Sequence, residues 1–260
     1  MQVITEQKRP KVLVFSRSEK KYLIDHATVD ELMQTLGRDL VEERFGSPQI
    51  RNLYLDTPDF RLIRRSLERP VYKEKLRVRT YGEITDSDHE AFVEIKKKLE
   101  GRVYKRRLAL PLGEAEGFVR GKTTYDSQIG RELTWSIQSY RSLLPAISVV
   151  YERYAYTYPG RDGNVRITID CNLMAMRGSW SDFYLPIDAS SYQPLLPEGC
   201  CIMEIKVRGA IPLVLVEVMS DLGIYPKSFS KVGAAFTRLL SNRSSLLQIE
   251  MEGTEDVRVL

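Results

Sequence analysis

The stretch EKLRVRTY at 74–81 alternates charged and apolar residues without a break. Side chains of a strand point alternately to opposite faces. Lys75, Arg77 and Arg79 therefore share one face, and Leu76, Val78 and Thr80 share the other. The next apolar run, AFVEIKKK at 91–98, places Phe92, Glu94, Lys96 and Lys98 opposite Ala91, Val93, Ile95 and Lys97. RVYKRRLAL at 102–110 follows after Leu99–Glu100–Gly101, a loop of hairpin length containing Gly. Three successive strands with cationic faces point to an antiparallel sheet.

Working outward, IRNLYLD at 50–56 reads as a strand closed by a turn at Thr57–Pro58–Asp59, with Asp56 structural rather than catalytic. Upstream, Lys11–Phe15 is a candidate short strand. A helix is expected after Thr28 as N-cap, with Val29, Leu32, Met33, Leu36 and Leu40 at helical spacing. Downstream, 113–144 reads as mostly helical. Ile147–Tyr158 and Val165–Asp170 read as paired strands, followed by an irregular stretch to Gly199 in which Met174 and Met176 fill gaps. Cys201–Val207 is a further strand with Cys201 buried. Helices are expected at Leu213–Leu222 and Ser230–Leu240. The expectation is an α+β fold: one domain over 1–250, a mainly antiparallel sheet curled or closed into a β-barrel with flanking helices, and a flexible tail at 251–260.

An apolar fraction of 43% argues against disorder. With 39 Lys and Arg against 35 Asp and Glu, the net charge of +4 is too small for a general nucleic-acid binder, so the distribution of charge matters more. Basic residues crowd between Arg61 and Arg107, whereas the C-terminal tail is acidic. No apolar stretch approaches the ~20 residues of a membrane helix, and the N-terminus carries no signal pattern. Three cysteines, two of them adjacent, show neither disulfide nor zinc spacing and suggest a reducing, cytoplasmic compartment.

The cationic faces recur far along the chain. Tyr151 and Arg153 share a face, as do Arg166 and Thr168, and Glu204 and Lys206. One wet face is ordinary for any single antiparallel strand. Five such strands biased towards Arg and Lys are not, because neighbouring like charges repel unless an anion neutralises them. Closing the sheet would put this face inside, facing a polyanion. Glu19, Glu94 and Glu204, each two residues before a lysine, offer the hard oxygen ligands that Mg2+ or Mn2+ takes beside phosphates. The alternative is that each glutamate pairs with its lysine.

Nine segments, in order, resemble the polyphosphate-polymerase domain of the vacuolar transporter chaperone family. They are RSEKKYLI at 17–24, LYLDTPDF at 53–60, KLRVR at 75–79, FVEIKKK at 92–98, GRVYKRR at 101–107, YERYAY at 151–156, VRITID at 165–170, MEIKVRG at 203–209 and SFSKV at 228–232. That family belongs to the triphosphate tunnel metalloenzymes, also called CYTH-like proteins. The resemblance implies a strand-lined tunnel, ATP as phosphoryl donor, polyphosphate as product and Mn2+ or Mg2+ as the metal. Lys21, Arg77, Arg79, Lys96, Lys105, Tyr151, Arg153, Arg166, Ser230 and Lys231 are then expected to bind phosphate. Arg77, Arg79, Lys96, Arg153, Arg166 and Lys231 are expected to act on the transferring group. Glu204 is implied as principal metal ligand, with Glu19 and Glu94 as further candidates. The wider superfamily often begins Glu-x-Glu-x-Lys, whereas position 17 here is Arg, a difference that suits the polymerase branch. Lys227 is displaced by one from the family's Lys-Phe-Ser-Lys pattern. Alternation alone leaves Lys105 and Arg106 both open, and motif position favours Lys105.

A terminal phosphate acceptor is already ionised, so no strong general base is needed. His26 and His89 are read as surface or loop residues without a catalytic role. Tyr154, Tyr156 and Tyr158 are expected in the core and barrel wall. Two other readings use the same cations, a triphosphatase of this fold and a non-enzymatic polyanion sensor. Nucleic acid is not expected as a partner, since no recognition helix or stacking-aromatic series appears. The family association suggests a separate membrane protein as partner, placing the chain at the inner face of a membrane.

Overall fold

The computed structural model describes residues 17–43, 48–68, 70–100, 102–160, 164–188 and 190–240. The candidate strand Lys11–Phe15 and the tail at 251–260 lie outside them. The strands are β1 (Arg17–Asp25), β2 (Val41–Glu42), β3 (Gln49–Asp56), β4 (Tyr72–Tyr81), β5 (Glu90–Leu99), β6 (Arg102–Pro111), β7 (Leu144–Tyr158), β8 (Val165–Arg177), β9 (Gln193–Pro194) and β10 (Cys200–Arg208). The helices are α1 (His26–Leu36), α2 (Arg61–Leu67), α3 (Leu112–Val119), α4 (Gln128–Gln138), α5 (Leu213–Asp221) and α6 (Lys231–Leu240).

All strands belong to one antiparallel sheet, in the order β1-β10-β8-β7-β3-β4-β5-β6, with β2 on β7 and β9 on β8. The sheet curls strongly into a half-barrel. Among the described residues the end strands β1 and β6 do not pair with each other. Side chains span the gap instead, since Glu19 on β1 lies 3.7 Å from Lys96 on β5.

Two apolar layers cover the convex surface. Ile167, Ile169, Met203 and Ile205 pack beneath α1 and α5 through Leu32, Leu36, Leu215 and Met219. Val78, Val93, Ile95 and Leu76 pack beneath α3 and α4 through Phe118, Leu133 and Ile137. A third cluster lies where α6 meets the sheet, joining Val232 and Ala235 to Ile50, Tyr54, Tyr151 and Leu173. Gly233 lets α6 approach α2, because a Cβ there would stand 2.9 Å from Leu67 Cδ2. Ser230 caps α6, its Oγ accepting from the Gly233 amide at 3.2 Å. Asp56 caps α2 from a fully buried position, with one oxygen accepting from Leu62 N–H and the other from Ile63 N–H, both at 2.8 Å.

Four expectations are corrected. The first helix starts earlier, with Asp25 rather than Thr28 as N-cap and its carboxylate accepting from the Thr28 amide. That helix ends at Gly37, whose φ of 36° breaks the α-helical path before Leu40. The strand at Val165 does not stop at Asp170 but continues to Arg177, absorbing an irregularity near Asn172, which has φ 51°. Tyr154 is exposed rather than packed, because it faces the convex side beyond the reach of a covering helix, whereas Tyr158 is buried.

Candidate phosphate-binding cleft

β4, β5 and β6 bring three cations onto one carboxylate. Glu94 is only 2% exposed. Its Oε2 accepts from Arg77 Nη2 at 2.6 Å and Nε at 2.8 Å, while Oε1 meets Lys105 at 2.7 Å and Arg107 at 2.5 Å. The cross-strand register dictates this, since Arg77 and Arg107 both stand opposite Glu94. Burial alone would raise the Glu94 pKa; the charges of Arg77, Arg79 and Lys105 overcome it and hold the carboxyl well below the ordinary range. Arg79, 5% exposed, is held differently. Its guanidinium donates to Asn52 at 2.7 Å, Tyr151 at 3.1 Å and Tyr81 at 3.3 Å, all neutral oxygens.

The second cluster centres on Asp170, which is fully buried. Arg153 approaches it in a fork, at 2.6 and 2.8 Å, and Lys231 at 2.5 Å. Lys231 is the first residue of α6 and reaches Asp170, so the positive end of the helix dipole lies beside this cluster and favours an anion. Ser230 Oγ accepts from Lys75 at 2.8 Å, linking α6 to β4. Burial lowers the Lys75 pKa to about 8. For Tyr54, burial opposes ionisation, but Arg77, Lys75 and Arg79 bring the phenol down to about 8.

The carboxyls of Glu204 and Glu19 converge on one cation, Lys206. Lys206 lies 3.1 Å from Glu204 and 4.0 Å from Glu19, while Lys21 lies 3.6 Å from Glu19. Burial would raise the Glu204 carboxyl, but the charges of Lys206, Lys21 and Lys231 hold it well below its usual range. Two adjacent carboxyls at the wall of a cationic cleft fit a hard divalent ion that also touches phosphate oxygens. Glu94 does not fit that role, because cations hold both its oxygens at 2.5 to 2.8 Å, whereas those around Glu19 and Glu204 stand at 3.1 to 4.0 Å.

Residues 16–240 match the VTC domain. The chain belongs to the VTC domain family. It is 28% identical over 225 residues to "Vacuolar transporter chaperone complex subunit 4" of Trypanosoma cruzi, covering 72% of this chain and 27% of that protein. It is 26% identical over 182 residues to the Schizosaccharomyces pombe protein of the same name, covering 61% of this chain and 24% of that protein. The chain thus spans about a quarter of these relatives' length. A solved Bacillus halodurans structure named as a candidate adenylate cyclase aligns with 82% of this chain and 92% of its own, at 15% identity and a TM-score of 0.47.

This VTC domain gathers the residues expected from the sequence around one concavity, with distinctions. Lys21, Arg77, Arg79, Lys96, Lys105, Tyr151, Arg153, Ser230 and Lys231 belong to the linked network just described, which Lys75 joins without having been expected there. Arg166 is set apart, donating to Glu43 at 2.8 Å beside Thr157. Arg106 turns to the convex side and pairs with Glu132 of α4, which distinguishes it from Lys105. The i+2 pairing holds for Glu204 with Lys206 and Glu19 with Lys21, but fails for Glu94. Lys227 is exposed, and its backbone amide donates to Lys21 O at 2.7 Å. Sequence reasoning missed Arg107, Asp170, Tyr54, Asn52 and Tyr81. Alternation already places Arg107 beside Lys105, Tyr81 beside Arg79 and Asp170 beside Thr168; Asn52 and Tyr54 show no signal without the register.

Proposed function

We propose that this VTC domain binds ATP and polyphosphate in the concave cleft and transfers the γ-phosphate of ATP to the chain end. The observation that carries this is the Arg79 guanidinium, buried on neutral oxygens between two clusters in which cations outnumber carboxylates. A buried cation without a directly paired anion calls for one from outside. A linear polyanion supplies a series of oxygens matched to a series of Arg and Lys.

Phosphoryl transfer needs alignment and charge neutralisation more than covalent help. Arg77 and Arg79 suit the bridging and terminal oxygens of the transferring group, with Glu94 fixing the plane of Arg77. Lys75, Lys231 and the N-terminus of α6 offer a second phosphate position at the α6 end of the cleft. Glu204 and Glu19 would hold Mn2+ or Mg2+, which when bound neutralises adjacent phosphate oxygens. The acceptor phosphate is ionised, so no base is required. Neither histidine contributes, since His26 lies beside Cys201 in the convex layer and His89 bonds Tyr81 O at the start of β5.

Purified chain is incubated with ATP and Mn2+, and the phosphate products are resolved on a gel. A ladder of long polyphosphate is the expected result. Free phosphate alone would replace this reading with a hydrolase. No turnover with tight polyphosphate binding would replace it with a sensor.

A further inference from the structure

On the convex wall, behind the cleft, three soft donors from three elements converge. His26 opens α1, Cys171 lies in β8 and Cys201 in β10; one donor atom from each lies within 4.8 Å of the others. Cys201 Sγ stands 3.8 Å from His26 Nδ1 and 3.9 Å from Nε2, so a small turn of the ring aims either nitrogen at it. The His26 amide donates to Gly199 O at 2.9 Å, pinning the start of α1 beside β10. Both cysteines are buried among Ile, Val and Met side chains, while the imidazole is exposed and leaves a way in.

We propose that His26, Cys171 and Cys201 form a binding site for a borderline-soft divalent cation of the Zn2+ class, with water as fourth ligand. Zinc–sulfur and zinc–nitrogen bonds of ~2.3 and ~2.05 Å place the two ligand atoms about 3.6 Å apart at a tetrahedral angle and about 3.8 Å apart at a trigonal one. The observed 3.8 Å between Cys201 Sγ and His26 Nδ1 therefore lies within about 0.2 Å of the tetrahedral value, and Cys171 Sγ, within 4.8 Å of both, completes the set by closing in by no more than about 1.2 Å. Zinc has no electronic preference for geometry and tolerates that range. Two thiols and an imidazole exclude Mg2+, which wants oxygen, so the site is chemically distinct from Glu19 and Glu204. Binding would release the thiol protons to solvent. It would also tie β8 to β10 directly behind Asp170, which points the other way into the cleft.

Co2+ serves as the probe, titrated into the reduced full chain and followed by absorption. One equivalent with thiolate-to-cobalt charge-transfer absorption, displaced by Zn2+, is expected. The absorption should vanish in Cys171→Ser and Cys201→Ser and persist in Cys200→Ser and Glu204→Gln. His26→Ala, at an exposed position, separates ligation from folding; its Co2+ affinity should fall at least about ten-fold. Absence of the charge-transfer band in the native chain, its survival in both buried-cysteine variants, or unchanged affinity in His26→Ala overturns the proposal.

Discussion

Replacing Glu94 with glutamine leaves the volume of the side chain but removes the charge shared by Arg77, Lys105 and Arg107. Removing one partner of a buried ion pair costs about 3–5 kcal/mol. Lys105 and Arg107 are themselves partly exposed, so solvent screening brings the expected cost down to roughly 2–3 kcal/mol. For a domain of this size each kcal/mol shifts Tm by about 2–4 °C, giving a fall of roughly 4–12 °C. A polyanion can take the place of the missing carboxylate. Tripolyphosphate at a hundred times its Kd stabilises by about 2.7 kcal/mol, so its addition should restore most of the loss. The variant should bind tripolyphosphate more tightly than the native chain yet turn over ATP more slowly, since Arg77 is no longer oriented. Thermal unfolding with and without tripolyphosphate, alongside product gels, measures both effects. A variant Tm within a degree or so of native, or weaker tripolyphosphate binding by the variant, would refute the view that Glu94 is an internal stand-in for phosphate.

Lys105→Ala should weaken tripolyphosphate binding about ten-fold, whereas Arg106→Ala should leave binding and turnover unchanged; calorimetric titration of both variants checks which β6 face lines the cleft. Anion affinity should fall as pH rises through about 8, because Lys75 loses its charge and Tyr54 gains one there; Tyr54→Phe should flatten part of that profile. Glu94 and Glu204 have folded pKa values held below their unfolded ones, so they contribute stability above the ordinary carboxylate range that is lost as pH falls through it towards the folded values. Urea unfolding between pH 7 and pH 3 should show the native chain losing more stability than Glu94→Gln does. Asp56→Ala should cost about 2 kcal/mol through the lost cap on α2, read as a lowered urea midpoint.

The alternation of EKLRVRTY and AFVEIKKK fixes which residues share a face, because the period of a strand is set by covalent geometry. That local rule was enough to set Arg77 and Arg79 opposite Val78 within one strand, and Lys96 opposite Val93 and Ile95 within the next. The same rule could have found Arg107 beside Lys105. It failed where conformation is not periodic. The irregularity near Asn172 hid the second half of β8, and a helix starting at His26 moved the cap from Thr28 to Asp25.

Which charge meets which is a matter of register and curl, and no local pattern encodes it. Glu94 pairs with Arg77 and Arg107 because hydrogen-bond ladders set β4 and β6 against β5, not because of its own neighbours Lys96 and Phe92. Glu19 reaches Lys96 only because the sheet bends its two ends towards each other. Asp170 meets Arg153 through the register of β7 against β8, and Lys231 joins them only when α6, some sixty residues later in the chain, docks against those strands. His26, Cys171 and Cys201, dispersed in sequence with no metal-binding spacing, meet because α1 folds back over β8 and β10. The sequence by itself determined the strands, their cationic face and the chemistry that face invites. The tertiary structure decided the pairing of every charge, because Coulomb energies depend on distance through space and chain separation says nothing about it.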